Sequence, residues 1–546
     1  MLIEELRQVI IESIRDMGIG DIPDFSLDSC PGDIDGDLST NLAFMASKKL
    51  RKSPAESGKA VIEAIENNKA ASGLIEKMEI AGKGFINFFI TSKRLHTELS
   101  AILKEKENYG RQDIGKGASV QIEFVSANPT GPLHIGHGRG AAIGDSLARI
   151  LSESGFNVQK EYYINNRGKQ IELLGQSVMA RYKELSGEKI SFPEDGYKGE
   201  YIKHLAAKVP AGVKKYDKEF FKEFAITSIL EQIRKDLEDF GVVYQRWFTE
   251  TDLYEKGEVE KMLQRLLKEK YLYEQDGAMW FKSSAFGDEK DRVVVRADKE
   301  PTYLASDITY HWDKFNRGFD TVVDIWGADH HGYVKRVKAS AQALGYSPDK
   351  VKVILYQLVS LSRAGKPQPM STRAGEFVTL REVIDEVGTD ACRFFFLMRG
   401  ANSHLDFDLE LAKKQSPENP VYYVQYAHAR ISSVFREATK AGYLLSDKLP
   451  QAEELDVLQA PEEIALIKKL MYFPELVALS VRTYDPHWVT AYVQELAKVF
   501  HNYYQKCRVI TEDKNLTRAR LYLLKAVGLM ISRSLALIGV NSPEKM

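Results

Sequence analysis

Cysteine is scarce in this sequence, and its scarcity excludes several classes of protein. Only three cysteines occur among 546 residues, at Cys30, Cys392 and Cys507, and no two of them have a Cys-x-x-Cys spacing. Small disulfide scaffolds need many cysteines, and cysteine-ligated zinc sites need closely spaced ones. We therefore expect neither feature, and we expect the protein to work in a reducing compartment.

Long apolar runs and a large net charge are also missing. No stretch of eighteen apolar residues occurs, so we expect no membrane-spanning helix. The first ten residues, MLIEELRQVI, are acidic and amphipathic, which is not the pattern of a secretory leader, so the expected location is the cytoplasm. A net charge of −2 does not by itself indicate a nucleic-acid partner, so any such contact must come from local basic patches.

A strand–loop–helix unit stands out between residues 119 and 151. Apolar residues alternate along the predicted strand, at Val120, Ile122 and Phe124, and turn-forming residues follow from Asn128 to Pro132. After them come small residues and then apolar residues at helical spacing, at Ile143, Leu147 and Ile150. Such a unit favours anion binding, because unpaired backbone N–H groups and the helix dipole face the loop. His134 and His137 stand at the helix start, where both imidazoles can donate to phosphate oxygens. Gly136 between them lets a flat base approach the backbone.

The run SANPTGPLHIGH at residues 126–137, preceded by EFV, resembles the HIGH motif of class I aminoacyl-tRNA synthetases, and its flank is similar to that of arginyl-tRNA synthetases. The similarity covers essentially the whole chain. It implies ATP-dependent attachment of arginine to tRNA(Arg) through arginyl-adenylate, with His134, Gly136 and His137 at the catalytic positions. It also implies ATP contacts from Pro132, Leu133 and Ile135. Without the resemblance, the alternatives are the phosphate loop of another nucleotide-binding enzyme and a chance match.

The length predicts three or four domains, and the pattern along the chain divides it into three. Residues 1–115 carry a helical stripe from Leu2 to Met17 and a strand at Phe85–Ile90, which predicts a small α+β domain. The resemblance implies that this domain contacts tRNA. Residues 413–546 carry helical stripes typical of an all-α bundle (Val424, Ala427, Ile431, Val434; Leu524, Val527, Ile531, Leu535, Ile538).

Residues 116–412 are predicted to form a Rossmann-type, doubly wound α/β catalytic domain. A strand at Val158–Ile164 follows the first strand and helix. Residues from about 171 to 270 read as a mostly helical insertion, after which the sheet is expected to resume at Arg292–Arg296. Further strands are predicted at Thr321–Trp326 and Val351–Val359.

The resemblance implies that Glu123, Tyr303 and Asp307 meet the substrate guanidinium and that Asn128 holds the α-amino group. The chemistry agrees, because a delocalised cation with forked donors is well met by carboxylates and a hydroxyl-bearing ring. Taken alone, a Tyr and an Asp four residues apart on a helix are more often a solvated or capping pair. The match around them, through YHWDK at residues 310–314, favours substrate binding.

The segment GADHHG after the strand at Thr321–Trp326 resembles the class I motif that meets ATP ribose and adenine, which implies roles for Gly327, Asp329 and His330. Adjacent histidines at 330 and 331 also fit zinc, but no third ligand with suitable spacing is near. No protein-bound metal is predicted, and Mg²⁺ is expected to arrive on ATP.

Residues 365–375 lie where class I enzymes carry the KMSKS loop, from which this sequence departs. Pro369 and Thr372 replace both lysines, whereas Met370 and Ser371 remain. The second lysine stabilises charge on the ATP phosphates, so Arg373 or Lys366 is expected to supply that cation. The alternative is a surface loop on a degenerate enzyme.

From His501 to the end the sequence holds eight Lys/Arg and three Asp/Glu, a net charge of +5, with tyrosines among them. Basic residues interleaved with aromatics suit an unstacked RNA loop, although a basic helical face with core tyrosines fits equally well. The resemblance, through VYYVQYAHARI, implies anticodon binding, with Tyr503, Lys506, Arg508 and Arg518 as the candidate tRNA contacts.

Two other functions stay open from the sequence. One is a class I synthetase for another amino acid, and the other is a catalytically silent tRNA-binding relative, which the missing lysines suggest. The expected partners are tRNA(Arg), arginine and ATP, and the chain is expected to act as a monomer.

Overall fold

The structure is a computed structural model that describes residues 1–17, 19, 25–30, 35–188, 190–210, 212–213, 217–363, 365–367, 377–445 and 449–546. Met370, Ser371 and Arg373, in the segment expected to take the place of the KMSKS loop, lie outside the described residues. None of the described helices combines the length and the apolar character that crossing a bilayer requires.

The N-terminal part of the chain is a small antiparallel sheet with helices, as the sequence predicts. Its elements are α1 (Leu2–Asp16), β1 (Asp28–Ser29), β2 (Leu38–Thr40), α2 (Leu42–Leu50), α3 (Pro54–Glu66), β3 (Ile75–Ala81), β4 (Phe85–Ile90) and α4 (Ser92–Glu105). The strands are ordered β1-β2-β4-β3, all antiparallel. The predicted first helix and the predicted strand at Phe85–Ile90 are both confirmed.

The middle part of the chain is an α/β domain. In order, it contains β5 (Ser119–Phe124), α5 (Ile135–Glu153), β6 (Asn157–Ile164), α6 (Lys169–Leu185), α7 (Glu200–Ala207), α8 (Lys218–Asp239), β7 (Arg246–Thr249), α9 (Glu250–Glu255), α10 (Glu258–Lys268), β8 (Leu272–Gln275), β9 (Ala278–Phe281), β10 (Arg292–Val295), α11 (Tyr303–Asn316), β11 (Thr321–Gly327), α12 (Val334–Ala343), β12 (Val351–Tyr356), β13 (Val359–Arg363), β14 (Lys366–Pro367), α13 (Leu380–Val387), α14 (Thr389–Phe396), β15 (Leu405–Asp408) and α15 (Leu409–Lys413).

Five parallel strands form the central sheet of the described structure, in the order β12-β11-β5-β6-β7. The chain leaves β5 toward β6 on one side and later returns to the other side with β11. Ligands of open α/β sheets bind at such a switch point, beyond the carboxyl ends of the strands. Phe124 of β5 faces α5, whereas its neighbour Glu123 faces α11, because successive strand residues point to opposite faces. The predicted doubly wound α/β domain is confirmed.

The predicted insertion at about 171–270 is mostly helical, but it is not separate from the sheet. Residues 246–249 form β7, which pairs in parallel with β6 from Glu161 to Ile164. This strand has only four residues, flanked by charged helices, and it has little of the apolar run by which a buried strand is recognised.

Two other strand assignments were wrong. Arg292–Val295 does not resume the central sheet but joins β8 and β9 in a separate antiparallel sheet. The predicted strand Val351–Val359 is two strands, because β12 ends at Tyr356 and β13 begins at Val359 in a third sheet with β14 and β15. Alternation of apolar residues indicates that a segment is extended, but it does not indicate which strand that segment pairs with.

The C-terminal part is helical, as predicted. Its helices are α16 (Pro420–Lys440), α17 (Ala452–Leu455), α18 (Pro461–Met471), α19 (Phe473–Thr483), α20 (His487–Lys506) and α21 (Lys514–Leu537). Both predicted apolar stripes are buried. Arg393 in α14 links the helical bundle to the catalytic domain. Its guanidinium donates to the Ile538 carbonyl at 2.8 Å and to the Asp145 carboxylate of α5 at 2.7 Å.

Candidate active site

The loop between β5 and α5 is held in an unusual backbone conformation by hydrogen bonds from the neighbouring strand β6. Val125 and Ser126 have φ values of 66° and 39°, which cost free energy for residues other than glycine. The strain is held by hydrogen bonds: the Tyr163 backbone N–H donates to the Ser126 hydroxyl at 3.1 Å, and the Tyr162 hydroxyl donates to the Ala127 carbonyl at 2.9 Å. The loop is therefore fixed in advance in front of α5.

The two predicted catalytic histidines cap α5 reciprocally. Nδ1 of His134 accepts from the His137 backbone N–H, and Nδ1 of His137 accepts from the His134 backbone N–H, both at 3.3 Å. The rings stack with centroids 3.6 Å apart and planes 15° apart. Because each Nδ1 is an acceptor, each neutral ring carries its proton on Nε2 and keeps that N–H as a donor.

Burial keeps both imidazoles neutral. It lowers the pKa of His134, and it lowers the pKa of His137 well below the ordinary value, with the neighbouring His134 ring adding to the effect. Two charged rings could not stack so closely. The pair therefore presents two neutral N–H donors rather than an acid and a base.

Gly136 keeps room for one of these rings. A Cβ built on Gly136 would lie 3.0 Å from Cε1 of His134, so a side chain at this position would press on the ring and shift it by a few tenths of an ångström. A glycine between His134 and His137 therefore serves the packing of the two rings as well as the approach of a ligand.

A cleft of about 930 Å³ opens in front of the pair. The loop from Ala127 to Pro132 and both histidines line one side, and residues from α6 and the segment before α7 line the other. Asn128 donates to Oε1 of Gln170 at 2.9 Å, and the Tyr201 hydroxyl donates to the Thr130 carbonyl at 2.7 Å. The predicted loop residues Asn128 and Pro132 therefore lie on the cleft wall.

The other predicted nucleotide contacts divide into exposed and buried groups. Asp329 and His330 follow β11 at the carboxyl edge of the sheet, and their side chains are 74% and 62% exposed. The Asp329 carboxylate lies close enough to His134 to act on its pKa. Leu133 and Ile135, in contrast, are buried side chains of the core, so only their backbones are available to a ligand.

Three carboxylates gather where β5, α9 and α11 meet: Glu123 and Glu250 are buried and Asp307 is half-buried. Asp307 lies close enough to Glu123 and Glu250 for both to raise its pKa, and burial is the larger cause of its rise to about 6. The Tyr333 hydroxyl donates to Asp307. The structure places Glu123 and Asp307 in one cluster, and the sequence carried no signal for Glu250 or Tyr333, which come from distant segments.

This cluster favours an additional cation besides the Lys314 ammonium that already binds Glu123. The described residues contain no group of three or more His, Cys, Asp or Glu side chains arranged to hold a metal ion. Like charges held this close in a buried site are stabilised when an organic cation joins them with charge-assisted hydrogen bonds. Tyr303, which is 56% exposed, stands one helical turn before Asp307 at the start of α11.

In the helical domain the prediction for Tyr503 was wrong. Its ring is fully buried, so no base can stack on it in this structure. Tyr503 falls on the same face of α20 as Leu496, Phe500 and Cys507, all of them buried, and the helical period could have revealed this. Of the other predicted contacts, Arg508 and Arg518 are exposed, and Lys506 is exposed but pairs with Glu462 at 2.9 Å.

A different aromatic surface lies on the same domain, which we call the tyrosine–arginine patch and define as Tyr422, Tyr426, Arg430 and Tyr504. The Arg430 guanidinium lies 4.5 Å from the Tyr426 ring centroid and 4.8 Å from that of Tyr504. The rings of Tyr422 and Tyr426 stack at 6.0 Å, and Tyr504 is 38% exposed. The i, i+4 spacing on α16 is the sequence signal for this patch.

Comparison with known proteins matches each part of the chain to a family. The model described as the class I tRNA synthetase (R) catalytic domain matches residues 98–396, the arginyl-tRNA synthetase N-terminal domain matches 4–90, and the DALR anticodon binding domain matches 424–546.

Relatives match over the full length. Proteins named arginine--tRNA ligase from Geobacter sp. (strain M21) and Bacillus pumilus (strain SAFR-032) are 49% and 45% identical, with 100% of this chain and at least 99% of theirs covered. The Thermus thermophilus arginyl-tRNA synthetase structure has the same fold, with a TM-score of 0.80 and 22% identity over 100% of both chains. The chain therefore belongs to the arginyl-tRNA synthetases, the class I ligases that attach arginine to tRNA with ATP.

Proposed function

We propose that adenylate formation takes place in front of His134 and His137. The arginine carboxylate attacks the α-phosphate of ATP, a new carboxylate–phosphorus bond forms, and pyrophosphate leaves. A ribose hydroxyl at the 3′ end of tRNA then takes the arginyl group, and AMP leaves. The two Nε2–H donors stabilise the negative charge that develops on the phosphate oxygens, and their neutrality means that no proton need be lost first.

The carboxylate cluster selects the amino acid in this proposal. Glu123, Asp307 and Tyr303 receive the guanidinium, Glu250 adds to the negative charge, and Asn128 holds the α-amino group. An amino acid that lacks the forked guanidinium donors would leave these carboxylates without hydrogen-bond partners. Its binding would therefore be much weaker than that of arginine.

ATP is proposed to lie along the carboxyl edge of the central sheet. Pro132 and the backbone around Leu133, Ile135 and Gly136 border it on one side, with Gly327, Asp329 and His330 on the other. Met370, Ser371 and Arg373 are the candidate loop contacts to the phosphates. We propose that Mg²⁺ enters with ATP and that the chain works as a cytoplasmic monomer.

The anticodon loop is proposed to bind the helical domain. Arg508, Arg518 and Lys506 supply positive charge, and the tyrosine–arginine patch supplies planar faces in place of Tyr503. RNA loops need both, because their phosphates are charged and their unstacked bases seek aromatic partners.

The observation that carries the proposed amino-acid selection is the cluster of Glu123, Asp307 and Glu250 where β5, α9 and α11 meet. The test is aminoacylation of unfractionated tRNA with each labelled amino acid in turn, with ATP and Mg²⁺. We expect charging with arginine, and a fall of about 100-fold in kcat/KM for arginine in Glu123→Gln. Glu289→Gln, which changes an exposed carboxylate paired with Lys335, is the matched control and should behave like the wild type.

The histidine pair is tested separately. We expect His137→Ala to slow adenylate formation about 100- to 1,000-fold while tRNA affinity stays unchanged, since one donor to developing charge is lost. An unaltered rate in this variant, or equal charging of Glu123→Gln and wild type, would contradict the assigned roles.

A further inference from the structure

Three acidic residues lie side by side across the central sheet, buried beneath α11. Glu123 of β5 is in register with Glu161 of β6 and with Asp324 of β11. Residues in register on neighbouring parallel strands point to the same face, so the three carboxylates form a row. Glu161 and Asp324 are fully buried and Glu123 is 8% exposed. Such a row is stable only when cations or donors meet it.

The helix α11 and the residue after it supply those partners at three-residue intervals. Nε2 of His311 lies 3.0 Å from Asp324, and the Arg317 guanidinium makes two hydrogen bonds to Glu161, at 2.7 and 2.9 Å. Between them, Nζ of Lys314 donates to Oε2 of Glu123 at 2.6 Å and to Oδ1 of Asp324 at 2.7 Å. Lys314 is fully buried.

The two oxygens of Glu123 have different surroundings. Oε2 is bound by Lys314, whereas no described residue donates to Oε1. Glu123 is also the member of the row that acts on Asp307 in the carboxylate cluster. An internal ammonium therefore holds one oxygen of this carboxylate and leaves the other for the cluster.

We propose that Lys314 is a specificity-determining positioning residue for arginine. Its ammonium fixes the Glu123 carboxylate with Oε1 turned to the substrate, and it balances the negative charge that Glu123 and Asp324 place side by side. The substrate guanidinium then meets an oriented anion. The proposal rests on the proposed contact between Glu123 and the guanidinium.

The charge balance explains why the lysine is needed. Without it, the neighbouring buried carboxylates Glu123 and Asp324 would keep only His311, which lies against Asp324, and the pair would more readily take up a proton. A protonated carboxyl at this position would lose its negative charge and turn one accepting oxygen into a donor, so it would bind a guanidinium less tightly. The titratable groups that interact with Glu123 or Asp324 are Tyr163 from β6, Tyr244 before β7, and Asp307, Tyr310 and His311 from α11. Glu161 and Glu250 face the same neighbours, Tyr310 and Asp307.

The test compares Lys314→Met with Arg317→Met in the full chain, by steady-state aminoacylation between pH 6 and 9. Arg317→Met removes the neighbouring link between α11 and the row but does not touch Glu123, so it controls for simple loosening of the helix. In Lys314→Met we expect the arginine KM to rise about 10-fold or more, with the KM values for ATP and tRNA within about twofold of wild type. The defect should shrink as pH rises, because the proton on the carboxylate pair is then lost. Arg317→Met should keep the wild-type arginine KM and show no such pH dependence.

Equal effects of the two variants on all three KM values would overturn the proposal, as would a wild-type arginine KM in Lys314→Met. If Lys314→Met fails to fold, Lys314→Gln removes the charge but keeps a donor and must show the same pH-dependent defect. Glu123→Gln separates this inference from the proposed site. If that variant keeps the wild-type arginine KM, the contact between Glu123 and the guanidinium is wrong. If it raises the KM while Lys314→Met does not, only the role of Lys314 is wrong.

Discussion

Arg393 and Asp145 are both completely buried and are joined by a hydrogen bond of 2.7 Å between the guanidinium and the carboxylate. Asp145 belongs to the helix that begins at the histidine pair, and Arg393 also donates to the carbonyl of Ile538 at the end of α21. Burial alone raises the pKa of Asp145, but the cations of Arg393, Lys160 and Arg149 outweigh it and hold the pKa at about 2. The pair thus links the catalytic helix to the helical domain.

The first prediction concerns this pair. Arg393→Met leaves Asp145 with only its more exposed partners, and breaking a buried pair by removing one partner costs about 3–5 kcal/mol. We expect a clearly lowered midpoint of thermal unfolding. Arg149→Met removes another partner of the same carboxylate whose side chain is 41% exposed, and it should cost about 1 kcal/mol or less. The pKa of Asp145 is lowered from 3.8 to about 2 in the folded protein. The ionised carboxylate therefore stabilises the fold of the wild type fully above pH 4, and this contribution is lost as pH falls through 2. Equal midpoints for the two variants would contradict this account.

The second prediction concerns Gly539, which follows α21. Its φ is +66°, and a Cβ would lie 2.4 Å from the Arg393 guanidinium. Gly539→Ala should therefore suffer both backbone strain and a clash, and its thermal midpoint should fall. Gly442→Ala is the matched control, because φ there is +84° and nothing lies within 4 Å of the added Cβ. It measures the backbone cost alone, about 1 kcal/mol. If both variants lose the same stability, the Arg393 contact contributes nothing.

The third prediction is a pH dependence of arginine affinity. Burial raises the pKa of Asp307 to about 6, with Glu123 and Glu250 adding to the rise. A guanidinium binds the ionised carboxylate, so below this pKa it must displace a proton. The arginine Kd should therefore rise as pH falls below about 6 and level off above 7. Equilibrium binding of labelled arginine across pH 5–8 checks this, with saturating ATP analogue and tRNA present. Asp307→Asn should bind more weakly and lose this dependence.

The sequence predicts the site only where local pattern and chemistry coincide. The strands at 119–124 and 321–327 and the helix start at residue 135 follow from alternation and turn residues, which are local properties. Glu250 and Tyr333 could not be predicted, because they are distant in sequence from Glu123 and Asp307 and come close to them only in the folded structure. β7 escaped because four residues of an edge strand carry little periodic signal. Tyr503 was misassigned because composition reports how many aromatics a segment has, not which face of the helix they occupy.

The fourth prediction separates the tyrosine–arginine patch from Tyr503. Tyr426→Ala should weaken tRNA binding about 10-fold or more, because one planar face is lost and Arg430 loses a stacking partner at 4.5 Å. Tyr503→Phe removes a buried hydroxyl that has no hydrogen-bond partner among the described residues, so tRNA affinity should not change. Filter binding of tRNA(Arg) at two salt concentrations measures both variants. Because Tyr426 carries no charge, its substitution should lower affinity by the same factor at each salt concentration, whereas Arg508→Ala should flatten the salt dependence. The prediction is contradicted if Tyr503→Phe loses tRNA binding while Tyr426→Ala binds like the wild type. Tyr503 would then be the residue that stacks on a base, and the helical domain would have to open when tRNA binds.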